Sequence, residues 1–327
     1  MSSQNETTTW VGLIANPVSG RGRGLKNVEM LEEKLLARGV QVDRALTIEA
    51  RRAMVDSAKN VPGERKILVA IGGDGTINAL INDQPQVPFV SFPSGTENVY
   101  AKAMQPQLPV DGMIDWLLSA PASPMDLGEY SYTSATGEVR QRFLLMLGFG
   151  FDAAVVNRHH TRRTAKSGQA RPTSRFDYVR PLAYEAWNYG FPPVKLHFTD
   201  INGNKTEQIG STSIVFNMDC YALGLKFTPQ ASARDGHLDT ICFSRSGSVQ
   251  AGIYFATVVM GMHPRLRSVN FGKMQELKIE ALESPVPVQM DGDPAGYVEP
   301  GRPWTIRCLP QACQILTKKE IESTSSS

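Results

Sequence analysis

Apolar positions in the first third of this 327-residue chain alternate between two periods. Residues 10–15 form a short continuous apolar run, as expected of a strand buried on both faces. Leu25, Val28, Leu31, Leu35 and Leu36 then recur at helical spacing, and Gly39 is placed to close that helix. Strand-like residues 41–48 precede a helix-like segment at 50–59. The apolar run 66–71 gives way to a helical set at 77–81, and a strand at 87–92 to a helix at 97–104. This βαβα rhythm predicts a mostly parallel sheet covered by helices, a doubly wound α/β domain over residues 1–124.

From about Met125 the rhythm changes. Strand-like runs at 141–147, 194–199, 211–218, 238–243, 277–281, 286–290 and 304–308 are separated by turn signals such as Asp200-Ile201-Asn202-Gly203-Asn204. Two helical interruptions are predicted, at 176–189 and 248–262. The pattern predicts an antiparallel, β-rich domain over residues 125–317, whose last strand can return to the first domain. In the apolar helix near its middle, Ile253, Ala256 and Met260 recur at helical spacing, which reads as a face packed into the core. The polar tail 318–327 is expected to be disordered.

Composition narrows the class without naming it. Hydrophobic residues make up 41% and charged residues 20%, as in ordinary globular chains. The net charge of +2, from 34 basic and 32 acidic residues, argues against binding nucleic acid by bulk charge. Cys220, Cys242, Cys308 and Cys313 form no Cys-x-x-Cys pair, so free thiols in a reducing cytoplasm are expected. Residues 1–9 lack the apolar core of a signal peptide, and the longest apolar stretch is too short to span a bilayer. The five histidines show no metal-ligand grouping, and no Ser-His-Asp order supports hydrolase chemistry.

Three loops carry the chemistry. Asn16-Pro17-x-Ser19-Gly20, Gly72-Gly73-Asp74-Gly75-Thr76 and Pro93-Ser94-Gly95-Thr96-x-Asn98 each follow a predicted strand. Glycines at a strand end let the backbone bring N–H groups close to an anion, and a following helix start adds partial positive charge. A carboxylate among such donors, Asp74, reads as an organiser of a nucleotide and its magnesium; the plain alternative is a tight Asp-Gly turn. Neither a Gly-x-x-x-x-Gly-Lys-Ser/Thr loop nor a Gly-x-Gly-x-x-Gly fingerprint is present.

Taken in order, the three loops resemble the diacylglycerol kinase catalytic domain family, which includes bacterial lipid kinases and sphingosine kinases and is related in fold to NAD kinases. Later segments carry the likeness through residue 315: Gly148-Phe149-Gly150-Phe151-Asp152-Ala153, Asn217, Pro229-x-Ala231-x-x-x-Asp235-Gly236-x-Leu238-Asp239 and Asp291-Gly292-Asp293. The resemblance implies ATP and Mg2+ as cofactors, with Asn16, Ser19, Gly72, Gly73, Gly75, Thr76, Ser94, Gly95, Thr96 and Asn98 around the nucleotide. It implies transfer of the γ-phosphoryl group to a lipid hydroxyl, first of all that of diacylglycerol.

The same resemblance places Asp293 where the family has a glutamate proposed as general base; the alternative is a surface turn. It makes Asp152 a candidate for the substrate head group, although an Asp there also suits a helix N-cap. It gives Ser232, Asp235 and the backbone carbonyl of His237 as ligands of a structural magnesium, where a hairpin turn is the other reading. Arg158, Arg162, Arg163, Lys166, Arg171 and Arg175 form a run without acidic residues, expected as a mobile basic loop facing anionic head groups. The implied location is cytoplasmic with peripheral contact to the inner membrane face, and relatives suggest a homodimer. Competing functions are a kinase for sphingoid bases, phosphatidylglycerol or NAD, and a non-catalytic nucleotide- or lipid-binding protein. The last draws on Asp293 and on Glu97 and Val99, where Gly and Asp are usual in the family.

Overall fold

The computed structural model describes residues 8–15, 23–95, 97–165, 179–221 and 224–318. The chain divides into two compact units, one of Met1–Met125 with Cys313–Ser327 and the other Asp126–Ala312. The first unit has the elements β1 (Thr9–Ala15), α1 (Arg23–Leu36), β2 (Gln41–Ala45), α2 (Ile48–Ser57), β3 (Arg65–Gly72), α3 (Asp74–Asn82), β4 (Phe89–Pro93), α4 (Val99–Met104) and α5 (Val110–Ser119). Strand β1 pairs in parallel with β2 and β3, and β3 with β4, giving the order β2-β1-β3-β4. Val11, Leu13, Ile67, Val69, Ile71 and Val90 share one core with Val28, Leu31 and Leu35 of α1. The apolar rows read from the sequence are therefore the buried ones, while Leu25 and Leu36 stay outside.

Local chemistry moves several element ends from where periodicity put them. Strand β2 stops at Ala45 because Thr47 caps the next helix, its hydroxyl accepting the N–H of Ala50 at 3.1 Å, so Ile48 opens α2 instead of ending a strand. Helix α4 starts at Val99, after Asn98 in the left-handed region at φ 47°.

The elements that follow are β5 (Ala122–Ser134), β6 (Gly137–Phe143), β7 (Met146–Gly150), α6 (Phe151–Ala165), α7 (Val179–Asn188), β8 (Val194–Thr199), β9 (Lys205–Gly210), β10 (Thr212–Phe216), β11 (Leu238–Phe243), α8 (Ser248–Val259), β12 (Val269–Met274), β13 (Glu276–Ala281), β14 (Val286–Met290), β15 (Asp293–Val298) and β16 (Trp304–Leu316). Within the second unit, six strands pair antiparallel in the order β12-β11-β10-β7-β14-β15. Strands β9, β8, β13 and the first half of β16 form another antiparallel set, with the β5–β6 hairpin beside them. Leu147, Phe149, Val215, Val286 and Val288 from the first set pack with Leu196, Ile279, Trp304 and Ile306 from the second. Tyr130 and Tyr132 stack on Trp304 with ring centroids 4.7 and 4.4 Å away. The N-terminal α/β unit with its parallel strands and the antiparallel β-rich unit are the two architectures the hydrophobic pattern predicts.

Three expectations are corrected. The strand expected over 141–147 is two strands, because the Asp291 carboxylate takes the N–H groups of Leu144, Leu145 and Met146 at 2.8 to 2.9 Å and removes them from any ladder. In α8 the buried row is Ala251, Tyr254 and Val258, whereas Ile253, Ala256 and Met260 face outward. An all-apolar helix offers more than one row at helical spacing, and spacing alone cannot rank them. The basic run also begins on a helix, since Arg158 and Arg162 lie in α6. Residues 166–178, and with them Lys166, Arg171 and Arg175, lie outside the described residues, as do residues 319–327 of the expected tail.

Candidate active site

In the first unit, two loops at the C-terminal ends of adjacent parallel strands meet backbone to backbone. Ser94 donates its N–H to the carbonyl of Gly72 at 2.9 Å. A Cβ on Gly95 would sit 2.7 Å from the Cα of Gly73, so only glycine permits this approach. At Gly72 a Cβ would collide with the Thr76 side chain, at 2.0 Å from its Oγ1. Asp74 joins the loops from the side: its carboxylate accepts the N–H of Val99 at 2.9 Å and of Tyr100 at 3.1 Å, at the start of α4. Burial pushes its pKa up, against those two N–H bonds, which pull it down.

Two polar atoms in this cradle have no partner among the described residues. Ser94 Oγ and Asn98 Oδ1 are buried without a hydrogen bond, although Asn98 Nδ2 donates to the carbonyl of Gly95 at 2.8 Å. Desolvated polar atoms are normally paired, so the pair marks where a ligand's polar groups would fit. A hydroxyl that can donate to phosphate and an amide oxygen that can accept from a hydroxyl or a hydrated cation suit a nucleotide and its magnesium. Gly75 is exposed at the first turn of α3, where helix N–H groups have no intrahelical partner. Gly72, Gly73, Asp74, Gly75, Thr76, Ser94, Gly95 and Asn98 are thus brought together around β3 and β4. Asn16, Ser19 and Thr96 lie outside the described residues.

In the second unit, a cavity of about 140 Å³ is lined by Phe151, Val155, Phe191, Ile214, Phe243 and Val258, with Asp152 among the few polar groups. The Asp152 carboxylate does not cap α6. It accepts a hydrogen bond from the Tyr221 hydroxyl and one from Gln289 Nε2, the latter at 2.9 Å. Burial raises its pKa and these two bonds oppose the shift. Gly148 makes the arrangement possible, because a Cβ there would stand 2.1 Å from Asp152 Oδ2. The other end of Gln289 accepts the N–H of Gly292 at 3.0 Å, so one fully buried amide ties the cavity floor to the turn that carries Asp293. Asp293 opens β15 with its side chain about half exposed, 3.4 Å from His160 Nδ1.

Gln289 and Tyr221 escape a reading of the sequence. Gln289 left one sign, a single amide within the apolar run Val286-Pro287-Val288-Gln289-Met290, and Tyr221 left none. Two of the remaining candidates, Asp235 and Arg158, are held by other groups. Asp235 accepts the His237 N–H at 3.2 Å and pairs with the Lys273 ammonium at 2.7 Å, so a cation of the chain already neutralises that carboxylate. Ser232 is half-buried in the same turn region. Among the described residues, no group of three or more His, Cys, Asp or Glu could hold a metal. Arg158 is bound by Glu185 and lies 3.5 Å over the Tyr184 ring, while Arg162 is exposed.

Family models agree with this architecture. The diacylglycerol kinase catalytic domain model matches residues 11–130, and the YegS C-terminal NAD kinase beta sandwich-like domain model matches residues 146–317. The chain belongs to the diacylglycerol kinase catalytic domain family, in the form that carries this second domain. A diacylglycerol kinase of Staphylococcus carnosus is 22% identical over 326 residues, covering 95% of this chain and 96% of that protein. One of Staphylococcus aureus is 22% identical over 298 residues, covering 87% and 86%. The crystal structure of a diacylglycerol kinase from Bacillus anthracis str. Sterne superposes with a TM-score of 0.64 at 18% identity, covering 94% of this chain and 97% of that one, and so shares the fold. No helix among the described residues is long and apolar enough to cross a membrane.

Proposed function

We propose that this protein is an ATP-dependent lipid kinase that transfers the γ-phosphoryl group to the hydroxyl of a diacylglycerol-type acceptor. One observation carries the reading. An apolar cavity ends on a carboxylate, Asp152, which Gln289 ties to the turn bearing Asp293. An acceptor with an apolar body and a polar head fits such a cavity, and the head-group hydroxyl meets oxygen acceptors at its end. The names of the curated relatives point the same way.

The chain's own groups divide the work. The Gly72–Gly75 and Ser94–Gly95 backbones hold phosphate oxygens, while Ser94 Oγ and Asn98 Oδ1 offer the unmatched polar atoms. Magnesium, when bound with ATP, offsets charge on the phosphate oxygens. The acceptor oxygen forms a bond to the γ-phosphorus as the bond to the β-phosphate oxygen breaks, ADP leaves, and the hydroxyl proton passes to the Asp293 carboxylate. Asp293 is one methylene shorter than glutamate, so the acceptor must sit correspondingly closer.

The test is a phosphotransfer assay with Mg-ATP on a panel of diacylglycerol, sphingosine, phosphatidylglycerol and NAD. Phosphatidic acid from diacylglycerol, faster than any other product, is the expected result. A dominant product from another acceptor overturns the choice of substrate. Absence of transfer to every member, with ATP still bound, overturns the kinase reading in favour of a binding protein.

A further inference from the structure

Helix α8, Ser-Val-Gln-Ala-Gly-Ile-Tyr-Phe-Ala-Thr-Val-Val, contains no charged residue on any face. Its inner row, Ala251, Tyr254 and Val258, is buried and lines the cavity. Its outer surface should be polar if it faced only water, yet Val249 is 80% exposed, Val259 56%, Met260 61% and Ile253 43%. Val249, Ile253 and Met260 follow the helical repeat, so they form one stripe along the outside and not a scatter of single exposed side chains.

The charge around this stripe bears on what could cover it. From Thr240 to Gln275 the chain has no acidic residue, while Arg245 before α8 and Arg265 and Arg267 after it are all exposed. An apolar helix face flanked by arginines matches the boundary between anionic head groups and acyl chains. At 12 residues and about 1.5 Å per residue the helix is far too short to cross a bilayer, but it can lie in the plane of the interface.

We propose that the outer face of α8 docks the protein on the surface of an anionic lipid bilayer. The stripe enters the head-group boundary while Arg245, Arg265 and Arg267 meet lipid phosphates. Because the inner face of the same helix lines the apolar cavity, docking brings that cavity to the membrane that holds its ligand; this last step rests on the lipid-kinase reading, whereas the docking does not.

Co-sedimentation of the full chain with vesicles of equal parts phosphatidylglycerol and phosphatidylcholine tests it. The wild type should pellet with these vesicles. Val249→Glu/Met260→Glu should need at least about tenfold more lipid, with its circular dichroism and Tm unchanged. Val249→Ser/Met260→Ser, a milder pair, should weaken binding in the same direction and serves if the first variant does not fold. Arg265→Glu/Arg267→Glu should lose binding to the anionic vesicles. Wild-type protein that stays in the supernatant, or stripe variants that pellet like wild type, would overturn the proposal. So would a wild-type dimer that the stripe variants split while vesicle binding is unchanged, because the face would then seat a second copy. Phosphorylation of short-chain diacylglycerol dispersed in detergent separates the two readings. Its absence in wild type refutes the kinase and leaves the vesicle result standing, and its persistence in the stripe variants shows the catalytic groups intact.

Discussion

The proposed reaction draws on two separate sites, one in each unit, and its two halves are built from different materials. The nucleotide half is backbone: glycines at two strand ends approach to within contact of one another, and Asp74 ties the loops through main-chain N–H groups. The acceptor half is side chains from distant segments, with Asp152, Tyr221 and Gln289 meeting although they belong to different stretches of the chain. A backbone site tolerates change at any position whose side chain points away, but it fails where a Cβ must not exist. A side-chain site depends on each partner's identity. The first can be recognised in a short motif, and the second only after folding.

The largest expected effect comes from the acceptor half. Asp293→Asn should lower single-turnover transfer by about a hundredfold or more, as removal of a general base does, with ATP binding intact. Rates near wild type would take Asp293 out of the mechanism and leave it as the start of β15.

Next come paired glycine substitutions that set the halves against each other. Gly95→Ala should weaken ATP binding by about tenfold, since its Cβ would press on the Gly73 Cα, and leave acceptor KM alone. Gly148→Ala should do the reverse, displacing the Asp152 carboxylate and raising acceptor KM. If either variant moved both constants together, the two halves would not be separable in this way.

A smaller effect concerns pH. Burial raises the pKa of Asp152 above its unfolded value, so the folded state holds that proton more tightly. Its contribution to stability is therefore greatest below the ordinary carboxylate range, near about pH 4, and falls as pH rises through the raised value. Asp152→Asn should flatten the part of the Tm–pH curve that lies above the ordinary carboxylate range. An unchanged curve would show that the cavity does not desolvate the group. Smallest of all, Lys273→Met removes a partly exposed ion pair with Asp235 and should cost no more than about 1 kcal/mol. If millimolar magnesium stabilised this variant but not the wild type, the ammonium would be standing where a cation can bind.

Legibility followed the same division. Continuous apolar runs and helical rows announced the α/β unit, and the motif Gly72-Gly73-Asp74-Gly75-Thr76 marked its loops, because both are local properties of contiguous residues. Strand ends were less legible. Nothing near Leu144 shows that Asp291 will take its N–H, since that acceptor lies on the far side of most of the second unit in sequence. Gln289 was visible as one polar residue in an apolar strand, but its partners were not. The outward stripe of α8 was misassigned because periodicity identifies a row without saying which way it faces.

Strand β16 has a consequence for the order in which the molecule can be made. Its end belongs to the first unit: Ile315 pairs with Phe89, Leu316 joins that unit's core, and the Cys313 thiol reaches the carbonyl of Met125. A ribosome delivers β4 early and β16 last, so throughout synthesis of the second unit β4 has an open edge. The nucleotide half, simplest to read, is the half that must wait for the end of translation to be complete. A chain stopped after Ala312 would keep every residue of the cradle and still lack the strand that closes its sheet.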